Sequence, residues 1–232
     1  MRRVLITGAN RGIGLALVRK FLNRGDQVFA GYRSMENSAD LLDIAANNPG
    51  EVSAIPLDVA NLTSILECVQ LVTQQADRLD ILVNNAAVHL GDEKLSMVKS
   101  DKLLRALQIN AVGPVLVAQK FIDLLGAADQ PLIINVSSEA GSVSKMEKFR
   151  GYGYYGSKAA ENMYTRALAF DPETDGITVI AIHPGWVRTD MGGPEAPLSA
   201  ADSAEGILKV IDALTPKDNG KFFTWEGREY PW

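Results

Sequence analysis

The chain has 232 residues, 47% of them hydrophobic, enough for a sizeable core in one large domain or at most two small ones. Its formal charge of −5 is spread along the sequence without a basic block, which argues against nucleic acid as the main partner. The single cysteine, Cys68, rules out an internal disulfide, and the first apolar run breaks at Gly8, too short for a secretion signal or a membrane span.

A reducing cytoplasm is therefore the expected compartment. Cys68, inside the patterned run TSILECVQLV, reads as a small buried apolar side chain. In chain order, seven short apolar runs read as strands: RVLIT (3–7), QVFAG (27–31), VSAIP (52–56), DILVN (80–84), PLIINV (131–136), ITVIAI (177–182) and KFFT (221–224). Amphipathic stretches separate them. The first, GIGLALVRKFLNRG (12–25), puts Ile13, Leu17, Val18, Phe21 and Leu22 on one face, with Gly25 as a stop. The strands are continuous apolar runs rather than alternations, so both of their faces should be covered. The expected fold is one doubly wound α/β domain over 1–232, a seven-stranded parallel sheet with helices on both faces. Ligands of such sheets bind beyond the carboxyl ends of the strands.

The loop after the first strand reads TGANRGIG. Gly8, Gly12 and Gly14 sit where strand turns into helix. Glycine there permits a tight turn, lets backbone N–H groups approach a diphosphate, and leaves it at a helix N-terminus. The spacing matches T-G-x-x-x-G-x-G and resembles the short-chain dehydrogenase/reductase family. That resemblance implies a Rossmann-type domain and cofactor contacts from Gly8, Asn10, Arg11, Gly12, Ile13 and Gly14.

An NAD-binding unit usually ends its second strand with an acid that takes the ribose hydroxyls. Here the segment is QVFAGYRS, and Arg33 stands in that region. Arg11 could reach the same place, and two guanidiniums suit a 2′-phosphate. NADP(H) is therefore expected over NAD(H), with Glu36 as a rival ribose ligand placed in the next helix. By family position, Asp58 and Val59 in PLDVAN meet the adenine. LVNNAA resembles the family's N-N-A-G: Asn84, Asn85 and Ala86 match, Ala87 replaces the glycine, and Asn84 and Ala86 are implied cofactor contacts.

The segment GYGYYGSKAAENMYTRAL places Tyr154 four and Tyr155 three residues before Lys158, so helical geometry admits either as its partner. The family motif Y-x-x-x-K selects Tyr154. Carbonyl reduction needs a proton donor at the developing alkoxide. A nearby ammonium favours the phenolate and makes a tyrosine a better acid near neutral pH. Lys158 would also hold the cofactor ribose. Of Ser137 and Ser138, the resemblance to S-S-x-x-G selects Ser138 to bond the carbonyl oxygen. Asn110 is a polar amide in an apolar helix, costly unless bonded. It reads as a helix-bend residue, and in the family it holds a water linked to the lysine. HPGWVRTDM resembles the last cofactor loop, with contacts from Pro184, Gly185, Val187 and Thr189. Neither His183 nor His89 is expected to be catalytic, and no metal is called for.

The tail, with TDMGGPEAP and a late WEG, is similar to the C-factor and sniffer-like carbonyl reductase branch. The resemblance implies an NADPH-dependent reductase of a small aldehyde or ketone, with 186–198 as a substrate lid and Val88, Met146 and Phe149 in an apolar pocket. It also implies a homodimer packed through the helices around Asn110 and Tyr154. The alternative is a nucleotide-binding signalling protein of C-factor type with little turnover. A nucleotide-sugar epimerase is disfavoured, because too little chain follows HPGWV for a substrate domain.

Overall fold

A computed structural model describes residues 1–232 except 92, 93, 148 and 150. Seven strands form one parallel sheet: β1 (Arg3–Ile6), β2 (Gln27–Tyr32), β3 (Val52–Pro56), β4 (Ile81–Asn84), β5 (Leu132–Val136), β6 (Thr178–His183) and β7 (Phe222–Thr224). Their order is β3-β2-β1-β4-β5-β6-β7, so the chain reverses direction across the sheet between β1 and β4. The carboxyl ends there form the crevice in which such sheets bind ligands.

Alternation along each strand explains the continuous apolar runs. Val4, Ile6, Val28, Ala30, Ile81, Val83, Ile180 and Ile182 point to one core. Leu5, Phe29, Leu82, Ile133 and Val179 point to the other. The first core is covered by α1 (Gly12–Asn23), α2 (Ala39–Asn47) and α7 (Ala200–Ala213), with Leu17, Val18 and Phe21 of α1 fully buried among Ala204, Ile207 and Ile211 of α7. Each such side chain contributes about 1.5–3 kcal/mol by leaving water.

The second core is covered by α3 (Leu62–Thr73), α5 (Gly113–Gly126) and α6 (Tyr152–Phe170), while α4 (Ser100–Leu107) packs on α6. Asn61 caps α3 by accepting from the Ser64 amide at 3.3 Å. Ile65, Cys68 and Val72 form the buried stripe of α3, and burial pushes the Cys68 thiol up to about 12.

Helices α4 and α5 are joined without a break by one π turn, Gln108–Val112. The stretch Ser100–Gly126 is long and apolar enough to cross a membrane, but half of its apolar window is buried inside the protein, as in a core helix. The π turn carries Asn110.

Candidate active site

A cleft of about 930 Å³ opens over the carboxyl ends of the central strands. Its floor at β1 is the glycine loop. Gly8 has φ 62°, and a Cβ there would lie 2.8 Å from the Ala86 Cα. A Cβ on Gly14 would lie 2.3 Å from the Gly8 carbonyl oxygen. Both positions therefore exclude a side chain. The loop is pinned from below. Asn85 Nδ2 donates to the Thr7 and Gly8 carbonyls, both at 2.9 Å, and Thr7 Oγ1 accepts from the Asn85 and Ala86 amides, both at 3.0 Å. Asn10 donates to the Asn37 carbonyl at 3.0 Å. Helix α1 has no acidic residue in its first turn and no side-chain cap. Its leading N–H groups are thus left for an anion, and the fixed backbone cradle fits a dinucleotide diphosphate.

At the β2 end, Arg33 is exposed and has no ion-pair partner among the described residues. Arg11 Nη1 lies 2.5 Å from Asp190 Oδ2, which ties the glycine loop to the loop after β6. Glu36 lines the same end. Asp58 Oδ1 accepts from the Ala60 amide at 2.9 Å, and its other oxygen lies 4.0 Å from Arg105.

The cleft wall includes Gly8, Asn10, Arg11, Gly12, Ile13, Arg33, Asp58, Val59, Ala86, Tyr154, Lys158, Pro184 and Thr189. Gly14, Asn84, Asn110, Ser138, Gly185 and Val187 are not part of it. Among these, Asn84 is held within the sheet. Its side chain is buried and donates to Asn135 Oδ1, its cross-strand neighbour on β5, at 2.9 Å. Strand alternation turns Asn84 inward and leaves Asn85 to reach the glycine loop. Gly185 and Val187 stand behind the wall: Val187 bridges to Leu198, and a Cβ on Gly185 would meet Leu198 and Trp225.

Tyr154 and Lys158 come to the cleft from one face of α6. The Tyr154 ring meets His89 edge-on, with centroids 5.1 Å apart. Lys158 is almost wholly buried, and its Nζ donates to the Val136 carbonyl at 2.8 Å and to Glu161 Oε2 at 2.7 Å. Two of its three N–H groups are thereby used, and one is left for the cleft.

Asn110 lies behind this pair, fully buried in the π turn. Its Oδ1 accepts from the Val88 amide at 2.8 Å. Its Nδ2 donates to the Val88 carbonyl and to Ser157 Oγ, both at 2.9 Å. It thus clamps the loop after β4 to the helix that carries Tyr154. Ser137 turns inward and donates to Asn162 Oδ1 at 2.6 Å. Ser138 is half-buried at the end of β5. Its Oγ accepts from the Ala140 amide at 3.1 Å and keeps its own O–H to donate. The next residue is held by His183, whose Nδ1 accepts from the Glu139 amide at 3.2 Å. Burial holds the His183 imidazole below its usual range, which suits an acceptor nitrogen.

Glu161 was not singled out in the sequence. It is buried, and desolvation outweighs the attraction of Lys158, pushing its carboxyl up to about 7. The only sequence signal was a charge on the buried face of an otherwise readable helix.

The 186–198 loop folds on itself. Arg188 Nη1 donates to the Ala196 and Pro197 carbonyls at 2.7 and 2.8 Å, and Trp186 Nε1 donates to the Gly192 carbonyl at 2.8 Å. Trp186 and Met191 remain exposed, as do Met146 and Phe149 on the loop after β5.

A family model described as short chain dehydrogenase matches residues 2–197. The NADPH-bound carbonyl reductase from chicken fatty liver superposes with a TM-score of 0.94 at 34% identity, covering 100% of this chain and 99% of that one. The carbonyl reductase Sniffer of Drosophila melanogaster gives 0.93 at 33% identity, covering 100% of both chains. The C-signal protein of Myxococcus xanthus is 40% identical over 159 residues, 66% of this chain and 93% of that protein.

Proposed function

The chain belongs to the short-chain dehydrogenase family, and from that premise we propose that it is an NADPH-dependent reductase of aldehydes or ketones. The observation that carries this reading is the arrival of Tyr154 and Lys158 at the same cleft as the glycine cradle. The cradle and the α1 N-terminus would hold the cofactor diphosphate, Arg33 and Arg11 the 2′-phosphate, and the remaining N–H of Lys158 the nicotinamide ribose. When bound, the cofactor supplies a hydride for the carbonyl carbon.

The chain's own residues handle the oxygen. Ser138 donates its O–H to the substrate carbonyl oxygen and stabilises charge building there. Tyr154 delivers the proton, and the Lys158 ammonium makes the tyrosine a better donor near neutral pH. Asn110 supports the proton relay by fixing the loop after β4 against α6. Trp186, Met191, Met146, Phe149 and Val88 would receive a mainly apolar substrate, and 186–198 would close over it. The exposed apolar residues Leu104, Leu107, Val112, Met163 and Tyr164 on α4, the π turn and α6 suit a homodimer through these helices. One domain would carry both cofactor and substrate sites, in a cytoplasmic enzyme.

The likeness to C-signal favours a second reading, a nucleotide-binding signalling protein. One experiment separates them: oxidation of NADPH, with NADH in parallel, across aldehydes, ketones and quinones. Turnover preferring NADPH supports the reductase. Tight NADPH binding without turnover on any of them supports the signalling protein.

A further inference from the structure

We propose that Glu161 is a positioning residue of the catalytic pair: its carboxylate holds the Lys158 ammonium from beneath, and its protonation sets how much of that charge reaches Tyr154. This inference rests on the reductase reading above.

A lysine and a glutamate three apart on a helix usually make a solvated pair worth a few tenths of a kcal/mol. Here the two side chains are each 2% exposed, at 2.7 Å. Water cannot screen them, so the charge state of one bears directly on the other. The turn of α6 that carries Glu161 is itself held. Its carbonyl accepts from Thr165 Oγ1 at 2.8 Å, and Thr165 accepts from Asn135 Nδ2 at 2.8 Å. Asn135 in turn accepts from Asn84. This chain of side chains fixes the turn of α6 from which the carboxylate reaches the lysine, and it gives Asn84 a structural task.

Among the described residues no other charge competes for Glu161. The elements packed on α6 bring Asp101, Lys102 and Arg105 from α4, Glu139 from the turn after β5, and His183 from β6. They also bring Lys120 and Asp123 from α5, and Glu173 from the turn after α6. Lys102 donates to the Leu90 carbonyl, Arg105 to Gln108, and His183 responds to Glu139 and Glu226. The charged group that acts on Glu161 is Lys158.

The sign follows. An ammonium favours the phenolate of a neighbouring tyrosine, and a carboxylate beside that ammonium offsets the effect. With Glu161 protonated, Lys158 acts on Tyr154 unopposed. With Glu161 ionised, its influence is partly cancelled. Because burial raises the carboxyl to about 7, the change falls within the working range of pH.

The test compares wild type with Glu161→Gln, which keeps the shape and an acceptor for Lys158. In profiles of kcat/KM against pH, the basic limb of the variant should lie lower by about one pH unit. A uniform loss of activity at every pH, with that limb unmoved, would mean a packing role only and would overturn the proposal. Carboxyl-13C NMR of cofactor-free, glutamate-labelled wild type provides a second readout that needs neither turnover nor a folded variant. One glutamate should titrate near neutrality, apart from the rest. If all titrate in the ordinary carboxylate range, the inference fails even in an active enzyme. If that outlying glutamate is found but no carbonyl is reduced, the reductase reading fails instead.

Discussion

The two ends of the cleft are built in opposite ways. At the β2 end, Arg33 and Arg11 are exposed; one lacks an ion-pair partner among the described residues and the other is held by a surface aspartate. At the β5 end, Lys158, Glu161, Asn135, Thr165 and Asn110 are all buried, and each is bonded to a fixed neighbour. Exposed charges are screened by salt and cost little to rearrange, so they suit the choice of one phosphate over none. Buried, satisfied networks resist rearrangement, so they suit chemistry that depends on tenths of an ångström. On the proposed function, selectivity would sit on the adaptable end and proton transfer on the rigid one.

The sharpest way to break this contrast is at the rigid end. Tyr154→Phe should lower turnover by about 10²–10⁴-fold while NADPH affinity, read by fluorescence titration, stays within a few-fold. Efficient carbonyl reduction by the variant would take Tyr154 out of the mechanism. At the soft end the effect should be smaller and fall on affinity alone. Arg11→Ala with Arg33→Ala should weaken NADPH by about 10–100-fold and NADH by no more than a few-fold, and added salt should shrink the gap between cofactors in wild type. Equal losses for the two cofactors would place the phosphate elsewhere.

A third effect, comparable in free energy, falls on stability. Glu161 is more easily protonated in the folded chain than in the unfolded one, about 7 against 4.5. Its contribution is therefore complete below about pH 4.5 and is lost as pH rises through 7. Between pH 5 and 8, wild type should lose on the order of 1–3 kcal/mol relative to Glu161→Gln, seen as converging or crossing melting temperatures in calorimetry. Parallel curves would mean that Glu161 does not change its proton there.

The strands were legible because the central ones are buried on both faces, which writes an unbroken apolar run into the sequence. The seven runs correspond to β1–β7 within a residue or two at each end. The glycine loop was legible because only glycine fits its contacts, so spacing carries geometry. What was illegible depends on partners far away in sequence or on phase along an element. Asn84 and Asn85 are adjacent and chemically identical, and only the pleat decides which one reaches the loop. Arg11 and Asp190 are separated by 179 residues, and neither carries a mark of the other. Glu161 looks like half of a surface pair until the packing of α6 shows which face is inside.

The π turn at Asn110 has a consequence for helical phase. A π turn is one residue more than an α-helix needs, so α4 and α5 behave as two helices joined out of step. Winding Gln108–Val112 as α-helix instead, with every residue kept, would rotate everything beyond that turn by about 100°. Asn110 could no longer face Val88 and Ser157 while Val117 and Phe121 faced the sheet. The surplus residue therefore lets one rod serve two registers, one set by the active site and one set by the core.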